Sequence, residues 1–106
     1  MKKLYDSGVP IATGTDSGTP GVVIGKGLHK ELELFVEAGL SPMEALVAGT
    51  KTAAENIGTG NQLGTIEKGK SADLVVIPKN PLDDMNNTRD IKMVIKNGTI
   101  MVNRIY

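Results

Sequence analysis

The sequence predicts an α+β chain in which one short strand and three helices are followed by a tail of strands. Apolar residues in the first half recur with helical spacing, whereas those in the second half form short runs rich in Val and Ile. The composition changes between Gly58 and Gly60. We therefore place a boundary there and expect two domains, residues 1–60 and residues 61–106.

The first half begins with a short apolar run and continues as a helix. Residues 9–13 predict a strand that ends at Gly14, and a loop of small residues follows it over residues 15–27. The helix starts at Leu28 and stops at Gly39. Its apolar face comprises Leu28, Leu32, Phe35 and Val36. Its acidic residues are interpreted as a solvated face: Glu31, Glu33 and Glu37.

Two further helices are predicted from signals at their N-termini. Ser41 supplies a capping hydroxyl, Pro42 takes the first helical position and Glu44 the third. Thr52 and Glu55 have capping-box spacing, which predicts a short helix over residues 52–57.

The second half predicts strands joined by turns. Residues 63–66 and 72–77 are predicted strands on either side of a turn at residues 67–70. Residues 83–88 are predicted to form a polar loop. A hairpin follows over residues 91–102, because Asn97-Gly98 tolerates the positive φ angles of a tight turn.

Composition excludes several function classes. The chain has 106 residues, with 12 basic and 12 acidic side chains that cancel, and no basic block that would indicate nucleic-acid binding. It has no cysteine, so disulfides and thiolate metal sites are excluded. Its apolar runs are too short to span a bilayer, and its first residues do not resemble a signal peptide. We expect a cytoplasmic protein.

One segment matches the spacing of a phosphate-binding loop. Residues 64–71 read G-x-x-x-x-G-K-S. Such a loop must open a helix, so that backbone N–H groups face the phosphates. Residues 72–77 are instead rich in β-branched side chains and predict a strand. We therefore reject the phosphate loop and predict a β-turn with Gly69 at a position of positive φ.

Two residues are candidates for chemistry. His29, the only histidine, neighbours Glu33 at i+4 and is interpreted as a surface or packing residue, because one histidine cannot supply a zinc site. Asp16 stands just beyond the end of the first predicted strand, where barrels and open α/β folds place their catalytic groups. An isolated Asp after a strand is also an ordinary turn residue, so both interpretations stand.

An ordered set of motifs along the chain resembles the metal-dependent amidohydrolases. The resemblance is closest to the branch with imidazolonepropionase-like enzymes and dipeptidases that cleave before proline. The motifs are Gly14-Thr15-Asp16-Ser17, Leu28-His29-Lys30-Glu31-Leu32, Ala38-Gly39-Leu40-Ser41-Pro42-Met43-Glu44, Thr50-Lys51-Thr52-Ala53-Ala54, Gly64-Thr65-Ile66-Glu67-Lys68-Gly69-Lys70, Ala72-Asp73-Leu74-Val75-Val76 and Val94-Ile95-Lys96-Asn97-Gly98.

The resemblance implies a fold and a catalytic role. Such enzymes have a (β/α)8 barrel with one or two divalent metals, often zinc, and a small β-sandwich. Residues 9–13 would be the eighth barrel strand, the helices of residues 28–57 would close the barrel, and the tail from Leu63 would join the sandwich. Asp16 would contact a metal, take a proton from the metal-bound water and pass it to the leaving group.

The resemblance also implies that much of the active site lies outside this sequence. The family's histidine ligands lie upstream, and Met1 falls where the helix before strand eight would be, as in a truncated gene product or an expressed fragment. Asp16 would be the one metal ligand here, whereas a catalytic zinc needs about three.

Two hypotheses follow from this inventory. In the first, the chain is the C-terminal portion of a hydrolase acting on C–N bonds of a small cyclic amide or peptide-like substrate. It would be inactive and metal-free by itself, and it would need the upstream barrel portion in cis or in trans. The alternative is a non-catalytic remnant that folds by self-association as a homo-oligomer.

Overall fold

The computed structural model describes residues 1–18, 20 and 25–105. Over these ranges the chain is α+β, with a group of short helices followed along the chain by a three-stranded antiparallel sheet. The elements in chain order are α1 (Lys2–Asp6), α2 (Gly27–Glu37), α3 (Pro42–Gly49), α4 (Lys51–Asn56), β1 (Leu74–Val76), a 3-10 helix (Met85–Arg89), β2 (Met93–Lys96) and β3 (Thr99–Asn103). None of the helices in the described ranges is long and apolar enough to cross a membrane.

The helices α2 and α3 form where the local signals predict them. Leu32 and Phe35, from the apolar stripe of α2, are both buried. The hydroxyl of Ser41 caps α3 by accepting a hydrogen bond from the backbone N–H of Glu44 at 3.1 Å. The inward positions of α3 are small, so α2 and α3 can approach closely.

The predicted cap of α4 is wrong. The helix begins at Lys51, so Thr52 already lies inside it and cannot cap it. Thr50 takes the capping position without a side-chain cap, because its hydroxyl donates to the carbonyl of Leu46 at 2.7 Å. The chain passes from α3 into α4 with only Thr50 between them, which leaves no room for a separate capping box.

The hydrophobic core lies among the helices and includes one residue from the second half of the chain. Its side chains are mostly small or aliphatic, as the low aromatic content requires. It consists of Leu32, Phe35, Leu40, Ala45, Ala48 and Met85, with Tyr5, Ile11, Val36 and Leu46 packed against it. The polar loop predicted over residues 83–88 is therefore wrong in part. The 3-10 helix starts there, and its Met85 is 5% exposed.

Residues 9–13 belong to no helix or strand and do not form the predicted strand. A strand needs a neighbour to complete its ladder, and the described part of the chain offers none to this segment. Helical elements hold its ends instead. The N–H of Val9 donates to the carbonyl of Leu4 at 3.1 Å, and the N–H of Thr13 donates to the carbonyl of Ala48 at 3.2 Å.

The sheet confirms the predicted hairpin. Strands β2 and β3 are antiparallel neighbours joined at Asn97 and Gly98, whose φ angles are 47° and 79°. Strand β1 pairs with the other side of β2, so the order is β1-β2-β3. The predicted strand over residues 72–77 is shortened to Leu74–Val76.

The predicted strand over residues 63–66 is wrong, because the chain curls there around a lysine. Gly64 has a φ of 98°, which is incompatible with a strand. The ammonium group of Lys70 donates to the carbonyl of Gly60 and to the hydroxyl of Thr65, both at 2.7 Å. It also forms an ion pair with Glu67 at 3.0 Å. These partners offset the desolvation cost of the charged Lys70 side chain, which is only 15% exposed.

The rejection of a phosphate loop is confirmed. The cation of Lys70 is already engaged within its own loop, and Gly69 has a φ of 91° in a turn. The element that follows is the strand β1 rather than a helix. No helix N-terminus is therefore presented to a phosphate at this point of the chain.

Replacing Gly64 with alanine will destabilise the fold more than the same change at Gly69. Both glycines have positive φ, so each substitution incurs backbone strain of about 1 kcal/mol. A Cβ at Gly64 would additionally lie 2.7 Å from the Cβ of Ala54 and 3.1 Å from the carbonyl oxygen of Thr50, whereas nothing lies within 4 Å at Gly69. Urea unfolding should show a total loss of about 2 kcal/mol or more for Gly64→Ala. Equal losses for the two variants would contradict the close contact at Gly64.

Candidate functional site

The loop after residues 9–13 presents Asp16 in an unusual backbone conformation. Its φ is 51°, and among the described non-glycine residues only Asn97 shares a positive φ. Asp and Asn tolerate this region best among residues with a side chain, yet it still costs on the order of 1 kcal/mol. Asp16 is exposed, so core packing does not impose this conformation. Local contacts must hold it there.

A hydroxyl pair closes the turn around Asp16. The hydroxyl oxygens of Thr15 and Ser17 are 2.7 Å apart, and the N–H of Ser17 donates to the Thr15 hydroxyl at 3.2 Å. Such hydrogen bonds between a threonine side chain and the backbone two residues on define a tight turn. Asp16 therefore lies at the tip of a turn whose two flanking residues are bonded to each other.

Two helices anchor the start of this loop through consecutive backbone N–H groups. The N–H of Thr13 donates to the carbonyl of Ala48 on α3 at 3.2 Å. The N–H of Gly14 donates to Oε1 of Glu31 on α2 at 2.8 Å. The chain is thus fixed from two sides immediately before it turns at Thr15.

The sequence analysis interpreted Glu31 as solvated and missed its structural role, although its position on α2 indicated that it lies on the apolar face. Glu31 is three residues after Leu28 and four before Phe35, so it lies within the apolar stripe of α2 rather than opposite it. Its Oε2 atom is buried, with no hydrogen-bond partner among the described residues. A carboxylate inside an apolar helical stripe indicates a specific partner, here the N–H of Gly14.

The predicted solvated acidic face of α2 is therefore only partly correct. Glu37 is exposed as predicted, but Glu33 keeps only 21% of its side chain exposed and pairs with Arg89 at 3.1 Å. This ion pair links α2 to the 3-10 helix. Because one partner lies 56 residues from the other, the sequence alone could not indicate it.

His29 is a packing residue, as predicted. Its Nδ1 lies 2.9 Å from the hydroxyl oxygen of Thr88, which itself donates to the carbonyl of Met85 at 3.1 Å. The single proton of that hydroxyl is thereby used, so Nδ1–H of His29 must be the donor in the other bond. Burial and the nearby Arg89 cation hold the pKa of His29 below its ordinary value, and the Glu33 carboxylate opposes them.

The described residues do not form a metal site by themselves. No group of three or more His, Asp or Glu side chains that could hold a metal ion occurs within them. His29 bonds to the 3-10 helix and does not join Asp16 in such a group. A divalent metal would require further ligands, so no step of a reaction is assigned to one here.

The family of this chain follows from its similarity to known proteins. Residues 1–101 match the model of the amidohydrolase family. The chain belongs to this family. It is 36% identical over 107 residues to the imidazolonepropionase of Geobacillus kaustophilus, a match that covers 96% of this chain and 25% of that enzyme. It is 32% identical over 105 residues to the imidazolonepropionase of Thermoplasma volcanium, covering 95% of this chain and 26% of that enzyme.

Solved structures of amidohydrolases have the same fold over this region. A Xaa-Pro dipeptidase with methionine bound in its active site superposes with a TM-score of 0.87 at 35% identity, covering 96% of this chain and 24% of that one. Molinate hydrolase superposes with a TM-score of 0.84 at 29% identity, covering 93% of this chain and 25% of that one. The chain thus spans about a quarter of the length of the relatives that it matches.

The stability of this amidohydrolase chain will fall as the pH drops from about 7 to about 5, because of His29. Its pKa is below the ordinary value of 6.5 in the folded chain, so the unfolded chain takes up the proton more readily. Unfolding is therefore favoured once the pH falls below that ordinary value. Urea unfolding at several pH values should show this slope, and His29→Gln should flatten it.

The comparison of the parent chain with His29→Gln has an internal reference. The carboxyl groups of Glu67 and Asp73 have pKa values held below their ordinary ones by hydrogen bonds from Lys70 and Asn97, respectively. Their stabilising effect is lost only at more acidic pH, in both the parent and the variant. An unchanged slope in His29→Gln between about pH 7 and 5 would contradict the assignment to His29.

Proposed function

We propose that this chain supplies the C-terminal portion of a metal-dependent hydrolase that cleaves C–N bonds in a small cyclic amide or peptide-like substrate. The observation that carries the proposal is the family match, which extends over residues 1–101 but corresponds to about a quarter of each relative. The names of two relatives, imidazolonepropionase and Xaa-Pro dipeptidase, denote the two substrate types.

In this proposal Asp16 is the base of the reaction. Its carboxylate accepts a proton from the attacking water and returns it to the nitrogen that leaves, so that the C–N bond breaks without a charged amide nitrogen departing. The exposure of Asp16 at the tip of a turn supports this role, because an exposed side chain is accessible to water and substrate. The turn and its two anchors keep the carboxylate in place.

The remaining parts of the site come from an upstream barrel portion, in cis or as a separate chain. Residues 1–60 form the C-terminal end of the barrel, in which residues 9–13 become the eighth strand. Residues 61–106 join a small sandwich. The lack of a strand partner for residues 9–13 among the described residues supports this arrangement, since a barrel would supply one on each side. Asp16 then contributes one ligand to a divalent metal, zinc in our proposal, and the other ligands are upstream.

The proposal predicts that Asp16→Asn will abolish hydrolysis in a complete enzyme. The experiment joins this chain to the upstream three quarters of the Geobacillus kaustophilus imidazolonepropionase, in place of the matching C-terminal region. The chimera should hydrolyse that enzyme's substrate, and Asp16→Asn should lower kcat by about a thousandfold. Asn tolerates the same backbone conformation, so the loop itself should be retained.

Two controls complete the experiment. Asp83→Asn, at another exposed aspartate, should leave kcat unchanged. The isolated chain should show no turnover in the presence of zinc, and calorimetry should find zinc binding no tighter than micromolar. Saturable zinc-dependent hydrolysis by the isolated chain, or a folded Asp16→Asn chimera with the parent kcat, would contradict the proposal.

A second candidate function is a non-catalytic protein that is stabilised by self-association. The exposed apolar side chains of the sheet favour it: Val75 is 52%, Ile100 is 54% and Met101 is 63% exposed. Exposed apolar side chains on a small sheet and a segment without a strand partner, such as residues 9–13, are typical of surfaces that bind another protein chain. In this proposal a second copy covers both.

Light scattering will distinguish this candidate. A homo-oligomer should appear at micromolar concentration, with a melting temperature that rises with protein concentration. Met101→Lys should shift the population toward the monomer, whereas Lys68→Met, at an exposed position in a turn, should not. A monomer with concentration-independent, cooperative melting would rule out self-association.

A further inference from the structure

We infer that Glu31 is the positioning residue of the Asp16 loop. It acts through the backbone of Gly14 and does not touch the reacting atoms. The importance of Glu31 for hydrolysis rests on the function proposed for Asp16. The hydrogen bond between Glu31 and Gly14 does not depend on that function.

The bond joins two parts of the chain at the point where the loop begins. Oε1 of Glu31 accepts from the N–H of Gly14 at 2.8 Å across 17 residues. An N–H bonded to a carboxylate makes a stronger hydrogen bond than one bonded to a neutral acceptor. Gly14 lies directly between Thr13, which is anchored on α3, and Thr15, whose hydroxyl closes the turn.

No side chain packs closely on the Cα of Gly14 among the described residues. A Cβ built there would meet no atom of these residues within 4 Å. Glycine also has the most backbone freedom of any residue. The hydrogen bond to Glu31 therefore restrains the backbone of Gly14 and, with it, the direction in which the chain leaves for Asp16, two residues later.

The position of Glu31 is unfavourable for any purpose other than this bond. Its Oε2 is buried without a hydrogen-bond partner among the described residues, which carries a desolvation penalty. Glu44 also has a buried Oε2 that makes no hydrogen bond within the described part of the chain, but the ammonium of Lys2 lies 3.9 Å from it. An apolar residue at Glu31 would suit the stripe of α2 better. The carboxylate is explained by the amide that it holds.

The experiment is an NMR study of the isolated chain, and it begins with the parent protein. The amide proton of Gly14 should be protected from hydrogen exchange, because Oε1 of Glu31 accepts a hydrogen bond from it. Glu31→Gln keeps an oxygen acceptor, so it should retain most of this protection. Glu31→Ala should accelerate exchange at Gly14 by about tenfold or more.

A second readout separates positioning from mere stability. In Glu31→Ala the backbone carbon shifts of Asp16 should move toward unfolded values, because its left-handed conformation is no longer maintained. In Glu31→Gln they should stay near those of the parent. The amide of Thr13 is the internal reference, since Ala48 still holds it. Glu37→Ala, on the exposed side of the same helix, should change none of these signals.

Three outcomes would overturn the inference. One is a Gly14 amide that exchanges as fast as an unprotected amide in the parent protein. Another is a Glu31→Ala variant in which Gly14 loses protection but Asp16 keeps its shifts. The third is a Glu31→Gln variant in which the loop is lost as completely as in Glu31→Ala. If Glu31→Ala fails to fold, the exchange rate of Gly14 in the parent protein and in Glu31→Gln decides the question.

None of these signals depends on turnover. An imidazolonepropionase chimera with normal kcat after Asp16→Asn would refute the proposed function while leaving the bond between Glu31 and Gly14 to be judged by NMR. If Asp16 does act in that chimera, Glu31→Ala should lower kcat with little change in KM, and Glu31→Gln should restore most of it.

Discussion

The packing of α2 against α3 is the contact on which the rest of the chain depends. Leu32 and Phe35 of α2 meet the alanines of α3, and small side chains there let the two helices approach closely. Both anchors of the Asp16 loop come from this pair, the carboxylate of Glu31 from α2 and the carbonyl of Ala48 from α3. A change in the spacing of the helices would therefore move two consecutive amides at once. The geometry of the loop is in this sense a property of the helix pair.

The 3-10 helix extends this dependence to the C-terminal half. It contributes Met85 to the core, and it bonds to α2 through two polar contacts, Thr88 with His29 and Arg89 with Glu33. The core thus draws on residues from both sides of the boundary that the composition change indicates near Gly58. The burial of Met85 and the hydrogen bond between His29 and Thr88 both hold the tail against the helices. The small sheet, in contrast, exposes much of its apolar surface.

Sequence reasoning succeeded where the signal was local and failed where it was not. The cap of α3 and the Asn97-Gly98 turn were predictable, because each depends on residues only a few positions apart. The strand predicted over residues 9–13 required a neighbouring strand that the described chain does not offer. The loop of residues 60–70 folds around Lys70, whose ammonium group donates to the carbonyl of Gly60, ten residues earlier. The role of Glu31 was missed because its charged side chain was expected to be exposed to solvent. The position of Asp16 was recognisable from its place after an apolar run, but its left-handed backbone was not.

That backbone conformation limits which residues can replace Asp16. Glycine and asparagine adopt a φ of 51° about as readily as aspartate does, whereas branched side chains do not. Both are reached from an aspartate codon by a single nucleotide change, and neither carries a charge. Either substitution would then keep the backbone conformation that the turn requires while removing the carboxylate. In such a lineage a chain without this chemistry would keep the shape of one that has it, so the loop alone would be a poor guide to which members of the family still catalyse a reaction.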